Sequence, residues 1–201
     1  MLRVVKTHLD TRSQTPAHAH DTVAWQCLQA RLQQDGRPLI LDSFCGTGHS
    51  THALAARHPQ HLVVGVDKSA HRLGKHPYPA TDNYMLLQAD CAAIWRRLAD
   101  TGVQLSHHYL FYPNPWPKAR HLGRRIHGHA SFADLLALGG IIELRSNWQI
   151  YVEEFGAAMH YAGRYGHIEA IADPTAAISL FETKYRSSGH ALWRYLSTSC
   201  K

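Results

Sequence analysis

The sequence predicts an open α/β fold, a mostly parallel sheet with helices on both faces. Two patterns lead there. Short apolar runs, Leu39–Leu41, Leu62–Val66, Met85–Ala89, Tyr109–Tyr112 and Ile141–Leu144, alternate with stretches whose apolar residues recur at helical spacing. Three of these runs end at an acid, Asp42, Asp67 and Asp90, and the fourth breaks into Pro113, Pro115 and Pro117. Each proline lacks an amide donor and bars helical geometry in the residue before it, so the chain must leave the sheet there. In open α/β sheets ligands sit outside the carboxyl ends of the strands, which makes these strand ends the place to look for chemistry.

In chain order, residues 1–22 are polar and read as an arm of uncertain order, and residues 23–201 as one domain. Val23 to Gln34 spaces Val23, Trp25, Cys27, Leu28 and Leu32 mostly as a helix, stopped by Asp35-Gly36. Leu39–Leu41 is a buried strand, followed by Asp42-Ser43-Phe44-Cys45-Gly46-Thr47-Gly48 and a helix that Ser50 could cap. Gly46 and Gly48 lack bulk where a backbone must approach a ligand at a helix entrance. Asp67, roughly 20 residues on, can accept hydrogen bonds from both hydroxyls of an adenosine ribose. Ala92 to Ala99 follows Asp90 as a helix. Phe132 to Leu138 is a short helix. The fifth strand runs into Ser146-Asn147-Trp148, and Tyr151, Phe155, Ala158, Met159 and Ala162 mark one face of a long helix. His167–Ala172 and Ala191–Leu196 complete a seven-strand count.

Composition narrows the partners. With 201 residues, 45% of them hydrophobic, the chain suits a single domain. Lys plus Arg total 21 against 15 Asp plus Glu, a net charge of +6, and the pI is near 9.3. The charge gathers in Lys118, Arg120, His121, Arg124, Arg125, His127 and His129, beside a proline-tryptophan loop and not along an amphipathic helix. That favours the phosphates of a nucleic acid over a membrane surface. The cysteines Cys27, Cys45, Cys91 and Cys200 form no CxxC pair, and the seventeen histidines are scattered, so no metal site is expected. No signal-length apolar stretch or membrane span is visible, and the expected location is the cytoplasm.

The string Tyr112 to Arg125, YPNPWPKARHLGRR, resembles the signature of the tRNA (guanine-N7)-methyltransferases, roughly FPDPWPKxRHxKRR. Further along, Ser179-Leu180-Phe181-Glu182 with Gly189-His190 and Trp193 is similar to that family's Thr-Lys-Phe-Glu and Gly-His-x-x-Trp. The resemblance runs from about Leu39 to Trp193. It implies a Rossmann-like class I methyltransferase fold with a seven-stranded sheet, S-adenosylmethionine as cofactor and tRNA as substrate. Asp42, Gly46, Gly48, Asp67 and Asp90 would hold the cofactor, and Asn114 would stand at its methyl end as the catalytic position. Lys118, His121 and Arg124 would meet phosphates, and Asn147, Ser179 and Glu182 would frame the base.

Four departures from that pattern bear on the chemistry of the site. Asn114 and Asn147 replace aspartates, Leu180 replaces a lysine, and Phe44 stands where the first glycine of the acidic-x-Gly-x-Gly-x-Gly loop would be. The two amides keep open a catalytically weak protein that binds S-adenosylmethionine or tRNA, and a methyltransferase acting on another nucleic acid or small molecule. A dehydrogenase would need the third glycine of the dinucleotide fingerprint, which is missing.

Overall fold

A computed structural model describes residues 1–9, 18–172 and 177–198. Seven strands, β1 (Leu39–Ser43), β2 (Leu62–Asp67), β3 (Tyr84–Gln88), β4 (His107–Phe111), β5 (Ile141–Ser146), β6 (Gly166–Ala170) and β7 (Trp193–Ser197), form one sheet in the order β3-β2-β1-β4-β5-β7-β6. The first five in that order are parallel, and β7 runs antiparallel to both β5 and β6. Every residue of β1 and β2 is buried, as expected of central parallel strands covered on both faces. The chain leaves β1 toward β2 on one side and returns through β4 on the other, so a crevice opens between the carboxyl ends of β1 and β4.

Among the described residues eight α-helices flank the sheet: α1 (Leu2–Leu9), α2 (Ala19–Gln34), α3 (His49–Arg57), α4 (Ala70–Leu73), α5 (Cys91–Asp100), α6 (Phe132–Ala137), α7 (Gln149–Tyr161) and α8 (Leu180–Ser187). One apolar cluster joins Leu28, Trp95, Phe132, Phe155 and Tyr195 beneath α1, α2, α5, α6 and α7. A second, with Ile40, Leu54, Val63, Tyr109, Phe111 and Ile178, lies on the α3 side. None of the described helices is long and apolar enough to cross a membrane.

The amino-terminal segment differs from the expected arm. Leu2–Leu9 is helical, and Val5 is wholly buried in the main core. The next helix begins at Ala19 and places the buried Asp21 where its carboxylate accepts from the Asp90 amide at 2.8 Å. Pro16, also read as part of that arm, lies outside the described residues. Phe181 to Ser187, given no secondary structure from sequence, lies within α8, capped by Ser179.

Candidate active site

The crevice is a cavity of about 460 Å³, within the range of small-molecule and cofactor sites. Asp67 and Asp90 line it from the ends of β2 and β3, Asn114 from the loop after β4, and Asn147 from the end of β5. Arg124 lines it from the basic segment. Five of the twelve residues picked out from sequence thus come together in one place.

Asp67 organises the β2 end of the cleft. Its Oδ2 accepts from the Gly46 amide at 3.0 Å, and its Oδ1 accepts from the Ser69 amide at 2.8 Å and lies 2.8 Å from Arg72 Nη2. Gly46 has φ of 63°, a conformation that a side chain resists, and this turn aims its N–H at the carboxylate. Arg72 had no signal in the sequence. Its side chain is 39% exposed, so its pairing with Asp67 is weak and a ribose hydroxyl can displace it at small cost. Asp90 caps α5 through the Ala92 amide at 2.8 Å.

Asp42 does not face the cleft. It is fully buried, and its Oδ2 accepts from Ser50 Oγ at 2.6 Å and Thr51 Oγ1 at 2.7 Å, while Oδ1 has no partner. Burial pushes this carboxyl up to about 6, opposed by the two hydroxyls. Its role is to tie the first turn of α3 to β1. The cap of that helix is Gly48, not Ser50, whose hydroxyl is spent on Asp42. Gly48 does not line the cleft. A Cβ there would lie 2.7 Å from Leu86 and 2.8 Å from His76, so packing against β3 and the residues before it demands the glycine.

Among the described residues three that are not glycine hold φ in the left-handed region: Phe44 at 64°, Tyr112 at 53° and Trp116 at 45°. All three line the cleft. Each such residue costs on the order of 1–3 kcal/mol and persists only where its surroundings over-determine it. Those surroundings are visible. Phe44 sets its ring edge-on to Trp95 at 5.9 Å, and Trp95 donates to Ser43 Oγ at 2.9 Å, which also meets buried His108 Nε2 at 2.9 Å. Trp116 lies under the Arg124 guanidinium, 4.7 Å from the ring centre, and its amide donates to Asn114 Oδ1 at 3.2 Å.

The basic segment divides into exposed and buried charges. Lys118 and Arg124 are exposed, and His121 packs edge-on to Trp116. Arg125 and His127 are buried, which removes them from the expected phosphate-binding cluster. Arg125 donates to the carbonyls of Trp116 and Pro117 and pairs with Glu154, stapling the proline loop to α7. Glu182 is likewise no free acid beside the base. It is fully buried, with Arg145 at 3.0 Å and Arg186 at 2.8 Å. Ser179 accepts from the Glu182 amide as the cap of α8, and it lines a smaller cavity of about 180 Å³ with Gly46, Arg72 and Phe181. Arg72 and Phe181 border both cavities. Among the described residues no cluster of three or more His, Cys, Asp or Glu has metal-binding geometry.

The residues fit S-adenosylmethionine. A buried carboxylate at the β2 end, a second acid at the β3 end and a glycine turn beside them form a cradle for a nucleoside, with the amides opposite. Residues 36–195 match the profile of a family described as "Putative methyltransferase". A tRNA (guanine-N(7)-)-methyltransferase of Pseudomonas fluorescens (strain SBW25) is 34% identical over 175 residues, covering 78% of this chain and 69% of that protein. One from Sodalis glossinidius is 29% identical over 170 residues, covering 78% and 70%. Among solved structures, the 16S rRNA methyltransferase KamB superposes with a TM-score of 0.62 at 14% identity, covering 87% of this chain and 94% of that one. A 16S rRNA (adenine(1408)-N(1))-methyltransferase from Catenulisporales acidiphilia, solved with its cosubstrate, gives 0.59 at 13% identity, with 89% and 92% covered. The sheet order and these superpositions give the class I methyltransferase fold, and with the family match across the strand ends that build the cleft, the chain belongs to the tRNA (guanine-N7)-methyltransferase family of S-adenosylmethionine-dependent enzymes.

Proposed function

We propose that this chain transfers a methyl group to N7 of a guanine in tRNA, with the cofactor on the Asp67 and Asp90 side of the cleft and the guanine between Asn114 and Asn147. The observation that carries this reading is the meeting of those four residues with Arg124 around one cavity. S-adenosylmethionine, when bound, supplies an electrophilic methyl group on a sulfonium. Asp67 accepts from the ribose hydroxyls once Arg72 has moved aside. Guanine N7 carries a lone pair and no proton, so the protein needs no strong general base and works chiefly by holding the reactants in line. Asn114 and Asn147 orient the base through amide donors and acceptors. Lys118, His121 and Arg124 meet backbone phosphates beside the loop, and Ser179 contributes from the adjoining cavity. A cytoplasmic setting suits a tRNA substrate.

A second reading has a specific observation behind it. Around Asn114 and Asn147 the cleft presents Arg124, and Glu182 is withdrawn into ion pairs, so no carboxylate among the described residues there offsets the charge a methylated purine acquires. On that reading the chain binds cofactor or tRNA with little turnover. Incubation with labelled S-adenosylmethionine and unmodified tRNA, followed by nucleoside analysis, decides between them. The expected product is 7-methylguanosine, and binding without any methylated nucleoside would select the second reading.

A further inference from the structure

Strand alternation places Glu143 and Arg145 of β5, Arg194 of β7 and Glu169 of β6 on the sheet face away from α7. Register sets Arg145 directly opposite Arg194, and Arg194 directly opposite Glu169. Two like charges directly opposite each other destabilise a sheet. The carboxylates offset this. Glu143 lies 2.6 Å from Arg145 and 3.8 Å from Arg194, Glu169 lies 2.5 Å from Arg194, and Glu182 bridges Arg145 and Arg186. Over this row runs a groove of about 480 Å³ lined by Arg57, Arg145, Arg186, Arg194, Glu169 and the chain from Ala170 to Ala172.

Four guanidinium groups against three carboxylates leave one positive charge in excess among the described residues. Two donors are unmatched. Arg57, exposed at the end of α3, has no ion pair among the described residues, and Arg186 Nη1 is buried without a hydrogen-bond partner. A buried donor left unpaired is costly unless something binds it. Guanidinium forks match phosphate oxygens in pairs.

We propose that this groove is a second anion site, separate from the cleft, which takes a backbone phosphate of the bound RNA. The inference rests on the tRNA reading above. The groove and the cleft are joined by α8, since Phe181 borders the cleft and Arg186 the groove. They are five positions apart on the helix, roughly 7.5 Å along the axis, so one RNA chain can reach both. A free phosphate compound offers the same chemistry, and the test separates the two.

Arg57→Gln is the informative variant, because Arg57 supports no carboxylate and its loss should leave the thermal midpoint and S-adenosylhomocysteine affinity unchanged. Losing one phosphate contact lowers the slope of log affinity against log salt by about 0.8, which amounts to roughly sixfold weaker tRNA binding at 0.1 M relative to a common limit near 1 M. Arg57→Lys should restore most of it. Stabilisation of wild type and Arg57→Gln by inorganic pyrophosphate is measured alongside. Unchanged tRNA affinity and salt slope, with pyrophosphate stabilisation lost, would overturn the RNA assignment in favour of a free-phosphate site. Neither quantity changing would mean that the arginines serve only the sheet. In both cases tRNA binding by the wild type leaves the main functional reading standing, whereas a wild type that binds no tRNA refutes both.

Discussion

Replacing Asn114 with aspartate tests the central electrostatic argument. Methylation turns a neutral guanine into a cation, and a carboxylate beside it would stabilise that developing charge. Unit charges about 4 Å apart attract by roughly 1 kcal/mol in water and about 4 kcal/mol at an effective dielectric constant of 20. Asn114 is exposed at the rim of an open cleft, so the lower end applies and about 1.4 kcal/mol is a reasonable expectation, which is tenfold in rate. The change preserves the loop, because the oxygen that accepts from the Trp116 amide at 3.2 Å remains in Asn114→Asp. The assay is single-turnover methylation at saturating tRNA and cofactor, since slow product release would mask a gain in steady state. Asn147→Asp is the companion, expected to improve rates at low tRNA concentration and to fade at saturation. A flat single-turnover rate in Asn114→Asp would refute the reasoning.

Asp67→Ala should weaken S-adenosylhomocysteine binding by about 1.5–3 kcal/mol in calorimetry, the scale of a charge-assisted hydrogen bond, and unchanged affinity would remove Asp67 from the cofactor site. Arg124→Ala should reduce the salt slope of tRNA binding by about one with little effect on the thermal midpoint. Arg125→Ala should do the reverse, lowering the midpoint, because it breaks a largely buried pair with Glu154 and frees the proline loop. If both variants behave alike, the division of the basic segment is wrong. Stability should also fall in acid. Burial holds His108 down to about 3 and His127 down to about 4, from 6.5. The unfolded chain therefore takes up more protons below 6.5, and each histidine costs about 1.4 kcal/mol per pH unit until its folded value is reached. Asp42, raised from 3.8 to about 6, acts oppositely and recovers part of this between pH 6 and 4. Denaturant midpoints at pH 7 and 5 check the balance, and equal stability at both would contradict it.

The strands were legible because buried parallel strands leave continuous apolar runs, and because acids and prolines mark where such runs stop. The direction a side chain faces at those stops was not. β1 is buried on both faces, so no alternation tells whether Asp42 points to the cleft or back toward α3, and Ser50 and Thr51 decide it. The helix at Leu2–Leu9 escaped notice for another reason. Eight residues are too few to be helical on local propensity, and the segment is held by burial of Val5 in a core formed far along the chain.

At the site, residues at strand ends were legible, whereas those whose partners are distant were not. Phe44 was visible as an anomaly, a large residue in a glycine's place, and its φ of 64° shows that the conformation stays glycine-like while Trp95 and His108 supply the support. Glu182, expected to frame the base, pairs with Arg145, 37 positions earlier on β5, a partner that no local pattern reveals. That relocation changes the chemistry expected of the cleft. With Glu182 bound to Arg145 and Arg186, the acids lining the cavity among the described residues are Asp67 and Asp90 beyond the ends of β2 and β3, with Lys68 and Arg72 beside Asp67 and Arg124 on the basic segment. On the proposed reading, Arg124 favours the RNA backbone while no carboxylate among the described residues beside the amides favours a cationic purine. On that reading, affinity for tRNA and speed of methylation rest on different residues, so charge restored at Asn114 should act on rate while charge removed at Arg124 should act on binding.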